Sequence, residues 1–156
     1  MQILADRLRQ NYPECRLGKM SEDMNLKRPL FYQNGTDFKK NKVYITRASD
    51  LTPEQLAEHG DNLVLAVGDF KEMETLPDGV GCFPQEINAE ALFNTAQRAF
   101  DTYDAWDERM QSMALSESTL KSLLDASYRI FHNPLMVSTT EGFMVDHSSL
   151  MDTLPE

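Results

Sequence analysis

Two stretches of the chain end in side chains that could hold a ligand. Arg47, Ser49 and Asp50 follow the β-branched and aromatic run Val43-Tyr44-Ile45-Thr46, and Asp69 follows the apolar run Leu63 to Val67 after Gly68. If both runs are parallel strands, these groups meet at one edge of a sheet, where open α/β folds collect ligands beyond the carboxyl ends of their strands. A guanidinium and two carboxylates there make a polar pocket for a small-molecule effector, with Arg47, Asp50 and Asp69 as its ligand-binding side chains. The competing account is plainer: Ser49 and Asp50 terminate a strand and Asp69 opens a turn.

Other chemistry finds little support. His59, His132 and His147 are scattered, with no pair at the i, i+3 or i, i+4 spacing that puts two ligands on one helix face, so no metal site is expected. His59 reads as a helix-end residue favoured by the dipole, and His132 ahead of Asn133-Pro134 reads the same way. His147 beside Asp146 has the makings of an acid/base or metal pair, which a strand end explains equally well. Gly68, Gly79 and Gly81 form no phosphate loop, there is no GxSxG, and neither cysteine has an adjacent histidine. No catalytic residue and no cofactor is expected.

The totals narrow the partners. A formal charge of −10 argues against a phosphate-backbone binder, which draws its affinity from clustered Lys and Arg. The basic cluster Lys39, Lys40 and Lys42 reads as a solvated loop. Cys15 and Cys82 stand 67 positions apart with no CxxC spacing, which points to reduced thiols. The charged start (Asp6, Arg7, Arg9) is unlike a signal peptide, and nothing approaches the roughly 18 apolar residues of a membrane span. The expectation is a soluble, cytoplasmic protein without membrane or direct nucleic-acid contact.

The elements that would position the strand-end groups follow from local pattern. A first helix runs to about Tyr12 and stops at Pro13, and Pro29 to Tyr32 is a short strand closed by the Asn34-Gly35 turn signal. After the Val43 strand, Thr52, Pro53 and Gln55 spell a helix start with a capping box. Gly60 ends that helix, and Leu63 to Val67 is continuous enough for a strand covered on both faces. Strand, helix and strand in such a span make a right-handed parallel crossover. Val80 to Phe83 adds a third or edge strand.

From Ala89 to Leu115 the chain is one unbroken helix, capped by Asn88. Leu92, Ala96, Ala99, Tyr103, Trp106, Met110 and Met113 follow at alternating steps of four and three, a heptad seam like that of a coiled coil. The seam is longer than a mean helix and rich in aromatic and Met residues, so it is read as a self-association interface and the protein as a homodimer. Ser116 or Ser118 then starts another helix, stopped at Asn133-Pro134. Leu135 to Ser138 and Phe143 to Asp146 form a hairpin that reads as the opening of a larger sheet.

Three groups of residues carry a family resemblance: Val43 to Thr46 with Asp50-Leu51-Thr52-Pro53; Leu92-Phe93-Asn94, Ala99-Phe100, Tyr103 and Trp106; and Leu123 to Ser127, Ile130-Phe131, Asn133-Pro134-Leu135 and the hairpin. Together they resemble the N-terminal region of bacterial transcriptional regulators of the purine-catabolism-regulator (PucR-like) family. The resemblance implies an α/β sensory domain, a connecting helix and a GAF- or PAS-like module, with a DNA-binding domain that these residues do not include.

The expectation is therefore an α/β fold. Residues 1–87 are a small sensory domain with a three- to four-stranded parallel or mixed sheet flanked by helices. Residues 88–115 are the connecting and dimerising helix, and 116–156 are a helix and hairpin opening a truncated GAF/PAS-like module. The expected function is non-enzymatic: signal sensing and dimerisation for a transcriptional regulator. A ligand-free protein–protein interaction module and a small enzyme using Asp and His at the strand ends are the competing readings.

Overall fold

The computed structural model describes residues 2–21, 25–35, 37–70, 73–116 and 118–153. The chain divides into two compact units, residues 1–100 and 101–156, and the division falls inside the long helix.

The first unit is a mixed five-stranded sheet in the order β1-β5-β4-β3-β2. Its strands are β1 (Arg16–Leu17), β2 (Lys27–Phe31), β3 (Lys42–Arg47), β4 (Leu63–Val67) and β5 (Val80–Phe83). β2, β3, β4 and β5 are parallel neighbours in chain order, and β1 alone runs antiparallel, against β5. Sequence pattern expected Val80 to Phe83 as a third or edge strand; β1 instead covers its outer side. Gly18 makes the approach of β1 feasible: a Cβ there would lie 2.1 Å from the Pro77 carbonyl oxygen, while the Gly18 N–H donates to the Val80 carbonyl at 2.8 Å.

Strand alternation sorts the core into two layers. Val43, Ile45, Leu63, Leu65, Val67 and Phe83 pack with Leu4 and Leu8 of helix α1 (Gln2–Asn11) and with Leu92 and Ala96 of helix α3 (Ala89–Leu115). On the other face Tyr44, Val64, Val80 and Cys82 pack with Leu51, Leu76 and Leu56 of helix α2 (Pro53–Ala57). All five residues of β4 are buried, which is why its sequence is one apolar run rather than an alternation. The expected capping box opens α2: Thr52 Oγ1 accepts from the Gln55 N–H, and the Thr52 N–H donates to Gln55 Oε1.

In the second unit the later turns of α3 pack on helix α4 (Leu120–Phe131). Trp106 Nε1 donates to Ser127 Oγ at 3.1 Å, and its ring meets Phe131 edge-on at 5.8 Å. The α4 cap is Thr119, which accepts from the Ser122 N–H, rather than the expected Ser116 or Ser118. Ser116 Oγ is drawn back to the Met113 carbonyl at the end of α3, so it closes one helix instead of opening the next. His132 ends α4 in the left-handed region (φ 53°). The antiparallel hairpin of β6 (Met136–Ser138) and β7 (Met144–His147) follows, then a short 3-10 turn, Ser149–Thr153.

Candidate functional site

A cleft of about 1070 Å³ opens at the carboxyl ends of β3, β4 and β5. Its place follows from the topology. The β3–β4 connection packs on the α2 face through Leu51 and Leu56, and the β4–β5 connection packs there through Phe70, Met73 and Leu76. After β5 the chain crosses to the opposite face, where α3 contributes Leu92 and Ala96 to the core. The Gly68 N–H still donates to the Phe83 carbonyl at 2.8 Å; beyond that bond the connections after β4 and β5 leave to opposite faces, the point at which open α/β sheets place a crevice.

The cleft has an apolar floor and a charged rim. Ala48, Val67, Phe70, Met73 and Ile87 line it, and none of them is exposed. Arg47, Glu86 and Glu90 stand at its exposed rim. The Arg47 guanidinium has neither a hydrogen bond nor an ion pair among the described residues. The first turn of α3 forms one wall: Asn88 Oδ1 caps the Glu90 N–H at 2.8 Å, which fixes the chain as it enters the helix. Glu90 then sits in the first turn of the helix, at the positive end of its dipole, where an acidic side chain stabilises the helix.

Two of the three expected ligand-binding side chains, Arg47 and Asp69, line this cleft. Asp50 does not. A 3-10 turn, Ala48–Asp50, carries the chain past the end of β3, and Asp50 Oδ1 there accepts from Ser49 Oγ at 3.2 Å. Asp69 is already engaged: Arg16 Nη1 donates to its Oδ1 at 2.9 Å. Glu86 and Glu90 join the cleft from the segment after Phe83, where strand-end position is as much a signal in the sequence as it is for Arg47 and Asp69. Arg16 had no local signal, because it belongs to a two-residue strand whose partner lies far along the chain.

The histidines lie elsewhere. His59 is buried just beyond α2, with Nδ1 2.6 Å from the Leu56 carbonyl oxygen and Nε2 2.8 Å from that of Asp78. It therefore ties the end of α2 to the turn before β5. His147 Nε2 donates to Asp152 Oδ1 at 2.6 Å, and Lys121 Nζ donates to the other Asp152 oxygen at 2.9 Å. Those two donors, His147 first, hold the Asp152 carboxyl below its usual range. Asp125 is lowered as well, chiefly by the Ser149 backbone N–H and then by its hydroxyl. These bonds join α4, β7 and the following 3-10 turn. Among the described residues no group of three His, Cys, Asp or Glu could hold a metal ion, and no helix is long and apolar enough to cross a membrane.

The heptad seam is shared between two sets of partners. Leu92 and Ala96 are fully buried in the first unit's core, and Ala99 packs against it. Trp106 and Met110 face α4, where Met110 Sδ accepts from Ser127 Oγ at 3.6 Å, and Met113 is half-buried. Tyr103 stays 45% exposed, its ring 5.3 Å from that of Trp106. No family model, curated protein or solved structure matches the chain.

Proposed function

We propose that this chain is the signal-sensing and dimerising region of a cytoplasmic transcriptional regulator, non-enzymatic, with DNA contact made by another part of the parent protein. A small molecule occupies the cleft beyond β3, β4 and β5 and acts on α3. One observation carries the reading: Asn88, Ala89 and Glu90, the start of α3, are cleft wall, and the same helix continues without a break to Leu115. A ligand that touches the first turn therefore touches the element whose later turns belong to the second unit.

The ligand this rim suits has an apolar body for the Val67, Phe70 and Ile87 floor. An acidic group would meet Arg47, and a hydrogen-bond donor or amine would meet Glu86 and Glu90. To act as a signal it must bind two helix arrangements with different affinity; equal binding shifts nothing. Moving a population from 1:99 to 99:1 takes a differential of about 5.5 kcal/mol. With Leu92 and Ala96 enclosed, self-association through the seam centres on Tyr103 and the half-buried Trp106, Met110 and Met113.

A metabolite library screened by thermal shift tests the sensor reading. A true ligand at about one hundred times its Kd adds about 2.7 kcal/mol of stability, and Arg47→Met with Glu90→Gln should erase the shift. A library that stabilises nothing sinks it. Sedimentation showing a monomer at high concentration would sink the dimer. The interaction-module reading is favoured by the hairpin, where Phe143 is 68% exposed and Met136, Met144 and Val145 are each 57% exposed, an apolar surface of the kind that marks binding sites.

A further inference from the structure

We infer that Arg16 is a positioning residue of the proposed cleft: it ties down the wall made by the β4–β5 connection and takes Asp69 away from any ligand. This rests on the cleft being a ligand site, but the test below needs no ligand. Gly68, Asp69, Phe70 and Met73 are the parts of that connection that line the cleft. Arg16 reaches the same stretch three times. Nη1 donates to Asp69 Oδ1 at 2.9 Å, while Nη2 donates to the Met73 carbonyl at 3.1 Å and the Glu74 carbonyl at 2.9 Å.

The origin of the guanidinium is fixed. Arg16 sits opposite Cys82 in the β1–β5 register. The Gly18 N–H donates to the Val80 carbonyl and the Gly79 N–H to the Lys19 carbonyl, both at 2.8 Å, so the segment after β1 is locked beside the start of β5. From that base a planar fork can serve a carboxylate and two carbonyls at once; a lysine ammonium at the same position presents one point charge on a shorter reach. Neutralising Asp69 leaves Arg47 against Glu86 and Glu90 as the cleft's open charges, a balance that disfavours polyphosphates.

The molecule carries its own reporter of the wall. Cys82 is 4% exposed in the core layer against which Phe70 and Met73 pack. Burial is the largest influence on its thiol and raises its pKa, and the Phe70 backbone N–H, facing it, acts in the opposite direction. Opening the wall therefore uncovers a thiol that is otherwise unreactive.

The experiment is iodoacetamide alkylation of Cys82 in a Cys15→Ser background, followed by mass spectrometry, with hydrogen exchange at residues 73–76 and far-UV circular dichroism in parallel. Arg16→Met is expected to raise the alkylation rate about tenfold, the scale of losing charge-assisted bonds at a half-exposed site. Arg16→Lys and Asp69→Asn, each keeping part of the contact, should raise it less. Exchange at 73–76 should follow the same order while β4 amides stay protected. Equal alkylation in all chains overturns the assignment, and so does a rise matched by β4, which is global loosening. If Arg16→Met fails to fold, unchanged rates in Arg16→Lys and Asp69→Asn overturn it. A library screen without a binder leaves this outcome untouched, and an unchanged alkylation rate leaves the ligand question open to that screen.

Discussion

The two units bury their apolar residues on very different terms. In the first, the sheet is covered on both faces, and β3, β4 and β5 supply eleven of the core side chains. In the second, Ser127, Ile130 and Ser148 are the buried residues among those described, and a two-stranded hairpin shows Met136, Phe143, Met144 and Val145 to solvent. The first unit owes its cohesion to apolar burial. The second leans on directed bonds: Trp106 to Ser127, Asp125 to Ser149, and Asp152 to His147 and Lys121. Burial is non-directional and insensitive to pH, whereas exposed charge-assisted bonds respond to both pH and salt. Mutation and pH should therefore separate the units.

The largest effect should come from the first unit's core. Leu65→Ala removes a fully buried side chain packed between β4 and its helices and is expected to cost about 2–5 kcal/mol, read by urea unfolding with far-UV circular dichroism. A loss below about 1 kcal/mol would mean that the sheet is less tightly packed than its burial implies. Next comes Trp106, the chain's single tryptophan and a resident of the second unit. Trp106→Ala should cost about 2 kcal/mol, below the fully buried range because the ring is half-exposed. In the unmutated chain its fluorescence should change at lower urea than the circular dichroism does; coincident curves would show that the units unfold together.

A smaller loss, about 1 kcal/mol, is expected for Thr52→Ala, which removes the α2 capping box. The weakest perturbation is acid. Asp125 and Asp152 have folded pKa values below their ordinary 3.8, so their contribution is present above that value and drains away as pH falls through the lower folded ones. Trp106 fluorescence should register loosening of the second unit in that window. Asp125→Asn, which keeps an acceptor oxygen but no titration, should flatten the response.

Legibility in the sequence tracked how local each cause was. The β4 run and the Thr52 box depend on neighbours in the chain, and both stand where pattern put them. β1 is two residues long and exists because Leu17 meets Gly81, a pairing no local window contains. Strand-end position was enough to bring Arg47 and Asp69 to one cleft. It could not foresee the 3-10 turn that removes Asp50, nor Arg16 arriving from another strand to claim Asp69. In the long helix, heptad spacing located the apolar face and left its partner open: Leu92 and Ala96 meet their own sheet, and Trp106 and Met110 meet α4.

The strand order also sets a timetable for synthesis. β2, β3, β4 and β5 leave the ribosome in the order in which they sit side by side, so each can pair with a neighbour already made. β1 is made first and joins last, because its partner β5 lies 64 residues downstream at the Leu17–Gly81 pair. At about 5–20 residues per second that is a wait of roughly 3–13 seconds. Arg16 waits with it, and the wall it holds is among the last parts of a newborn first unit to set.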